Sequence, residues 1–196
     1  MKIFHLLGFA PYYTNSFLLI TEGGSAVVID PSADPKKYNR LLGEHNAKLT
    51  HIFLTHGHLD HVSAAEELRK QWNATLYLDS ADARGSTMLP MTISDACYTE
   101  GGEITVDELT FKTWHTPGHT PGCWCILCGE HFFTGDTLFQ MSIGRTDFAE
   151  SNHGDMVRSL KKLCELDLPD STIVLPGHMD FSTLGQEKRL NPYLRG

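Results

Sequence analysis

An α/β (α+β) chain of two mixed β-sheets packed face to face, with helices on their outer faces, is the fold that the order of elements predicts. Three observations carry this expectation. Short apolar runs rich in β-branched residues recur along the chain, bounded by glycine, proline, asparagine or aspartate. They come in groups, strands and then a helix, given roughly twice. Residues that can bind metals or move protons sit repeatedly at the point where one of these runs ends.

The chain opens with Lys2 to Leu7 as a strand, followed by Ser16 to Thr21 and Ala26 to Asp30. Gly23-Gly24 between the last two is a hairpin turn signal. Asp34 caps a helix with Pro35 at its first position, running to about His45. His51-Ile52-Phe53-Leu54 is the next strand, a helix reaches from the residues after it to about Trp72, and Thr75 to Leu78 is a strand again. Ser80 to Pro90 reads as a short helix or a loop. Strands return at Glu103–Val106, Leu109–Trp114, Gly122–Leu127 and Glu130–Thr134. A helix from about Asp155 to Leu166 precedes the strand Thr172–Leu175, and Gly185 to Gly196 reads as a polar tail. No linker and no internal repeat is visible, so residues 1–196 are expected to form one domain.

Composition narrows the function classes. The 41% apolar and 20% charged fractions are those of an ordinary globular chain. A net charge of -8 with no lysine- or arginine-rich run argues against a nucleic-acid partner, because phosphate binding needs concentrated positive charge. No run approaches the length of a membrane span. The apolar N-terminal stretch is broken at His5 and ended by Pro11, so it reads as a strand and not a signal peptide. Five cysteines do not make a disulfide framework, which points to a reducing cytoplasm.

The chemistry is concentrated in Thr55-His56-Gly57-His58-Leu59-Asp60-His61, between a strand and a helix. Side chains on an extended segment repeat every second residue, so His56 and His58 point the same way and can hold one cation. Asp60 and His61 fall at the helix start, turned toward a second position beside the first. Three further stretches place a ligand-type residue beside glycine at the end of an apolar run: His119 within Thr116-Pro117-Gly118-His119-Thr120-Pro121-Gly122, Asp136 in Gly135-Asp136-Thr137, and His178 in Pro176-Gly177-His178. Imidazole nitrogen and carboxylate oxygen suit zinc and similar divalent metals. Together these residues can complete the shells of two metals if Asp136 bridges them.

The ordered set His56-x-His58-x-Asp60-His61, His119, Asp136 and His178 resembles the metallo-β-lactamase superfamily, with Asp30 matching the acidic residue that ends an early strand there. Gly135 to Phe139, Ser142 to Asp147 and Thr183 to Pro192 resemble the small glyoxalase II-like hydrolases. The resemblance implies a four-layer αββα sandwich and two divalent metals, zinc first, with iron and manganese also suited. It implies that His56, His58 and His119 hold one metal, that Asp60, His61 and His178 hold the other, and that Asp136 bridges, with Asp60 and Asp136 as the catalytic carboxylates. The expected activity is thioester hydrolysis by a metal-bridging hydroxide, on S-D-lactoylglutathione or a related acyl thioester. Lactam hydrolysis is disfavoured, since one branch of the true β-lactamases has a cysteine ligand where this chain has Asp136.

The full-length glyoxalase II enzymes add a C-terminal region that grips glutathione, which has no counterpart in the short stretch after His178. Arg145 is then the expected contact for an anionic part of the substrate, with an ion pair to Asp147 as the competing reading. The alternative activity is that of the persulfide dioxygenases, which this chain resembles around Gly144 to Phe148; there a single iron would be held by His56, His119 and Asp136. The partner is a small molecule in either case, and the oligomeric state is left open. Cys123, Cys125 and Cys128 are expected in the core, with Cys123 and Cys125 on one face of a strand, and so are Cys97 and Cys164. His5, His45, His51, His115, His131 and His153 are expected to pack, cap or face solvent. Met141 is a candidate for the substrate entrance.

Overall fold

The computed structural model describes residues 1–195. The first three strands, β1 (Lys2–Leu7), β2 (Asn15–Ile20) and β3 (Ser25–Ile29), pair antiparallel, with Gly24 at φ +89° in the turn between β2 and β3. The chain then crosses through α1 (Pro35–Glu44) to β4 (Lys48–Phe53), parallel to β3. It crosses again through α2 (Leu59–Val62) and α3 (Ala65–Trp72) to β5 (Thr75–Tyr77), parallel to β4. This sheet has the order β1-β2-β3-β4-β5.

The second half repeats the plan. The strands β6 (Glu103–Val106), β7 (Leu109–His115), β8 (Trp124–Cys128) and β9 (His131–Gly135) pair antiparallel in succession. A small hairpin of β10 (Leu138–Phe139) and β11 (Ser142–Ile143) leads to α4 (His153–Glu165). From there β12 (Ile173–Pro176) returns parallel to β9, and β13 (Ser182–Thr183) and α5 (Leu184–Leu190) finish the fold. The sheet order is β13-β12-β9-β8-β7-β6.

Three apolar layers hold the sheets and helices together. Phe17, Leu19, Ile29 and Phe53 of the first sheet meet Phe111, Trp124, Ile126 and Phe133 of the second. The alternate residues of the same strands, such as Leu18, Val28 and Ile52, face Tyr38 and Leu42 of α1 and Leu68 of α3. On the far side Cys125, Leu127, Phe132 and Val174 face Met156, Leu160 and Leu163 of α4 and Leu184 of α5. Strands buried on both faces have no polar side to alternate with, which is why β2 and β3 read as continuous apolar runs. The result is the expected four-layer αββα sandwich.

The structure departs from the sequence reading at several points. Cys97, expected in the core, is exposed, and Cys164 is only half-buried. The single helix expected up to Trp72 is two, because the Ala64 N–H is spent on Pro31 O (2.9 Å) and the Ser63 hydroxyl on Ser32 O (3.2 Å). The last helix α5 replaces the expected polar tail: Thr183 caps it by accepting from Gln186 N (3.3 Å), and its buried apolar anchor is Leu184. Cys123 precedes β8 and bonds to Thr120, while Cys125 and Cys128 face opposite layers of the core, so the three thiols never share a site. Burial raises the Cys125 thiol to about 12 and Cys128 to about 11, as suits inert core residues. Among the described residues no helix is long and apolar enough to cross a membrane.

Phe111 sits edge-on to Phe53 with ring centres 5.0 Å apart in the middle of the inter-sheet layer, and no part of it is exposed. Phe111→Ala is expected to cost about 3–5 kcal/mol in urea unfolding. On the surface, the Arg69 guanidinium holds the Asp95 carboxyl below the usual carboxylate range, helped by the Leu76 N–H. A depressed pKa contributes stability above the unfolded value near 4, which fades as pH falls through the folded value. The pH dependence of the melting temperature between about pH 5 and 2 should therefore be shallower in Asp95→Asn than in the parent protein.

Candidate metal centre

Parallel strands deliver their C-terminal ends to one edge, and here β4, β9 and β12 all end at the same place. Thr55 to His61 follow β4, Asp136 follows β9 and His178 follows β12, while His119 lies in the turn from β7 to β8. Backbone hydrogen bonds sew the two sheets together at this edge: Trp124 N to Thr55 O (2.8 Å) and Asn15 N to Gly177 O (2.7 Å). A side chain just past any of these strand ends is therefore held in a narrow gap.

Asp30 sets the first loop. It ends β3 in the left-handed region (φ 47°), a conformation that aspartate tolerates better than most residues. Its Oδ1 accepts from Thr55 N (2.7 Å), and its Oδ2 accepts from Thr55 Oγ1 (2.6 Å) and from His61 Nδ1 (2.9 Å). The imidazoles follow one rule: the outer nitrogen of each ring faces an acceptor. His58 Nε2 lies 3.0 Å from Glu150 Oε1, and His119 Nδ1 lies 2.9 Å from Arg145 O. His56 Nδ1 is 3.2 Å from Thr55 Oγ1, and His178 Nδ1 is 3.3 Å from Tyr12 O. With those protons directed outward, each ring turns a lone pair inward.

The inward nitrogens converge. His58 Nδ1 lies 3.1 Å from His56 Nε2 and 2.8 Å from His119 Nε2. The expected shared direction of His56 and His58 holds, although they reach the common point through different ring nitrogens. Beside this group, His178 Nε2 is 3.2 Å from Asp60 Oδ2 and 3.4 Å from His61 Nε2. Asp136 joins the two, with Oδ2 3.3 Å from His119 Nε2 and Oδ1 3.3 Å from His61 Nε2. The structure thus brings together all seven residues singled out from the sequence, in groups whose donor atoms lie within 4.8 Å of one another.

Electrostatics argue that a cation belongs here. His58 Nδ1 is crowded by the ring nitrogens of His119 and His56 at 2.8 and 3.1 Å, and Asp136 Oδ1 is buried with no hydrogen-bond partner. Burial pushes His56 well down, reinforced by His61 beside it, and pushes His119 down as well. Burial would raise Asp136, yet the neighbouring His61 and His119 hold it well below the usual carboxylate range. Burial would likewise raise Asp60, but hydrogen bonding to His178, the charge of His61 and the Thr14 hydroxyl (2.7 Å) bring it to about 2. His61 is drawn well up, against its burial, by Asp136 and Asp30. Lone-pair donors of nitrogen and oxygen, short of positive charge, are what zinc or iron would satisfy.

The centre opens into a cavity of about 450 Å³ walled by Tyr12, Met88, Phe139, Ile143, Phe148 and Met179, with Arg145 at its edge. Arg145 makes a two-pronged ion pair with Asp147 (2.8 and 2.9 Å) and lies 4.4 Å over the Phe148 ring. The competing reading of Arg145 is therefore what the structure shows, at a position that still borders the cavity. Met141 is not part of the wall: its N–H is tied to Glu187 Oε2 (2.8 Å), and Met88 and Met179 stand where it was expected. His115 pins its turn through Pro121 O (2.9 Å) and stays out of the centre. Sequence reasoning missed Thr14, Asp82 and Glu150, since none lies beside a ligand-type motif.

Gly177 leaves no room for a side chain, because a Cβ there would collide with Asp136 Oδ1 and His61 Cε1. Gly177→Ala is expected to fold, by circular dichroism, and to bind less metal than the parent protein by elemental analysis.

The family model of the metallo-β-lactamase superfamily matches residues 10–178. Hydroxyacylglutathione hydrolase GloC of Haemophilus influenzae is 33% identical over 199 residues, covering 93% of each chain. Among solved structures, the BLEG-1 B3 metallo-β-lactamase superposes with TM-score 0.84 at 31% identity, over 100% of both chains. ETHE1 from Myxococcus xanthus gives TM-score 0.84 at 32% identity, over 98% of this chain and 84% of that one. TTHA1623 in a di-iron-bound form gives 0.80 at 32% identity, over 97% of this chain and 100% of that one. A matched family model over most of the chain, on an αββα sandwich with its histidines and aspartates gathered at one sheet edge, leaves one conclusion: the chain belongs to the metallo-β-lactamase superfamily.

Proposed function

We propose that this protein is a dinuclear metal-dependent hydrolase that cleaves an acyl thioester, S-D-lactoylglutathione or a close relative. The observation that carries the reading is Asp136, whose two oxygens reach both donor groups at once. His56, His58 and His119 would hold one cation and Asp60, His61 and His178 the other. When bound, such cations supply Lewis-acid polarisation of a carbonyl oxygen and lower the pKa of water.

The chain's own residues supply the rest. Asp60 and Asp136 stay ionised near neutrality, so both can accept a hydrogen bond from the attacking water and orient it. Phe139, Ile143 and Phe148 wall the cavity with apolar surface that sheds water around an acyl chain. The departing thiolate is a good leaving group, its acid having a pKa near 8.5. Arg145 can meet a substrate carboxylate by releasing Asp147, because an exposed ion pair of this kind is worth only about 0–1 kcal/mol. The relation to GloC supports the thioester reading, and the free thiols of all five cysteines support a cytoplasmic setting.

A second reading, a persulfide dioxygenase with one iron held by His56, His119 and Asp136, is favoured by the likeness to ETHE1. Two histidines and a carboxylate are also the donor set of many non-haem iron oxygenases. Elemental analysis of protein purified without chelators separates the two. Near two metals per chain, with hydrolysis of S-D-lactoylglutathione, is the expected result. One iron with oxygen uptake on glutathione persulfide would replace the proposal by the second reading, and no metal after reconstitution would sink both. Asp136→Ala should lose metal and lower turnover by at least the roughly 100-fold that loss of a supporting partner can cost.

A further inference from the structure

Asp82 is a carboxylate with no exposed surface, and it is not one of the residues whose donor atoms converge at the centre. It ends the 3-10 turn Ser80–Asp82 that follows β5, a turn capped by Asp79. All three of its partners are uncharged donors. Oδ2 accepts from Gly57 N (2.9 Å) and from Thr120 Oγ1 (2.6 Å), and Oδ1 accepts from Gly122 N (3.0 Å). Two separate loops thus meet on one side chain. Gly57 stands between His56 and His58, and Thr120 directly follows His119.

The glycines show how closely the loops approach it. A Cβ on Gly57 would come within 2.8 Å of Asp82 O, and one on Gly122 within 2.5 Å of Asp82 Cγ. Asp82 fills the space a side chain would take at both positions, with its backbone oxygen and Cβ at Gly57 and its carboxylate at Gly122. Among the side-chain anchors, Asp30 holds Thr55 and Ser151 Oγ donates to His119 O (2.6 Å), each on one loop, while the backbone bond from Trp124 N to Thr55 O (2.8 Å) joins the strand ends behind them. Asp82 spans the two loops. The distance it spans is the one that joins the two halves of the three-histidine group, the 2.8 Å between His58 Nδ1 and His119 Nε2.

We propose that Asp82 is a positioning residue for that group: by accepting from Gly57 on one loop and from Thr120 and Gly122 on the other, it sets the spacing between the His56–His58 pair and His119. The proposal rests on the metal reading of the centre. Asp60 and His61 follow Gly57 on α2 but have anchors of their own, Thr14 and Asp30, and His178 faces Tyr12 O, so the effect falls on the three-histidine site more than on the other. In Asp82→Asn the amide can mimic only one carboxylate oxygen, and its NH₂ then faces a donor. Thr120→Val removes one of the three hydrogen bonds at nearly constant volume and serves if Asp82→Asn does not fold.

Zinc titration of the metal-free protein against a chromophoric chelator tests this, with thermal unfolding of the metal-free form measured alongside. The parent protein should bind zinc in two steps. Asp82→Asn should weaken one step by about 10–100-fold and leave the other in place, with Thr120→Val showing a smaller loss at the same step. Parent-like affinity at both steps in both variants would overturn the proposal and leave the metal reading standing. So would an equal loss at both steps that tracks a lower melting temperature of the metal-free form, which a purely structural role would give. A parent protein that takes up no zinc would overturn the metal reading and the proposal together.

Discussion

Inward-facing imidazole lone pairs, crowded to within about 3 Å of each other beside an unpartnered carboxylate oxygen, are the interaction on which the rest of this structure depends. Such an arrangement does not form by itself. Nitrogen lone pairs at that distance repel, and burial removes the water that would screen them. Something must hold each ring from behind, and the chain provides it ring by ring. Glu150, the Arg145 carbonyl, the Thr55 hydroxyl, Asp30 and the Tyr12 carbonyl each face an outer ring nitrogen. The tautomers are thereby set by groups that would never touch a cation.

The two-sheet architecture explains how so many donors reach one point. Each sheet contributes strands that run parallel where they matter, β3-β4-β5 in one and β9-β12 in the other. Parallel neighbours end at the same edge, and loops after such strands are the usual place for function on a mixed sheet. Stacking the two sheets through Phe17, Phe53, Phe111 and Phe133 then brings the two edges face to face. The inter-sheet hydrogen bonds from Asn15 and Trp124 lie at this end. Packing of the apolar middle and geometry of the polar edge are therefore one problem, and a loosened core would be felt first as a misplaced ligand.

The cavity outside the centre has a different character. Its wall is mostly aromatic and thioether surface, and its one guanidinium among the described lining residues is already paired with Asp147. Orientation of a substrate would come from the centre itself and from shape, with charge recognition available only by exchange at Arg145. That division suits a site where a reactive carbonyl must be placed accurately while the remainder of the molecule is gripped loosely.

The strands, most helices and all seven inward-facing residues of the centre were legible in the sequence because their signals are local. A strand announces itself by a run of apolar residues, a capped helix by Asp34-Pro35, and a metal cluster by histidines two and three apart next to glycine. What supports the centre was not legible. Thr14 and Asp60 are 46 residues apart, Asp82 and Thr120 are 38 apart, and His58 and Glu150 are 92 apart. Nor could spacing say that His58 turns Nδ1 inward while His56 turns Nε2, or that Met88 and Met179 line the cavity and Met141 does not. The sequence by itself determined which donor atoms the protein owns and at which strand ends they stand. Only the tertiary structure decided which lone pairs meet and what holds them, because a hydrogen bond requires two groups within about 3 Å in space and places no condition on their separation along the chain.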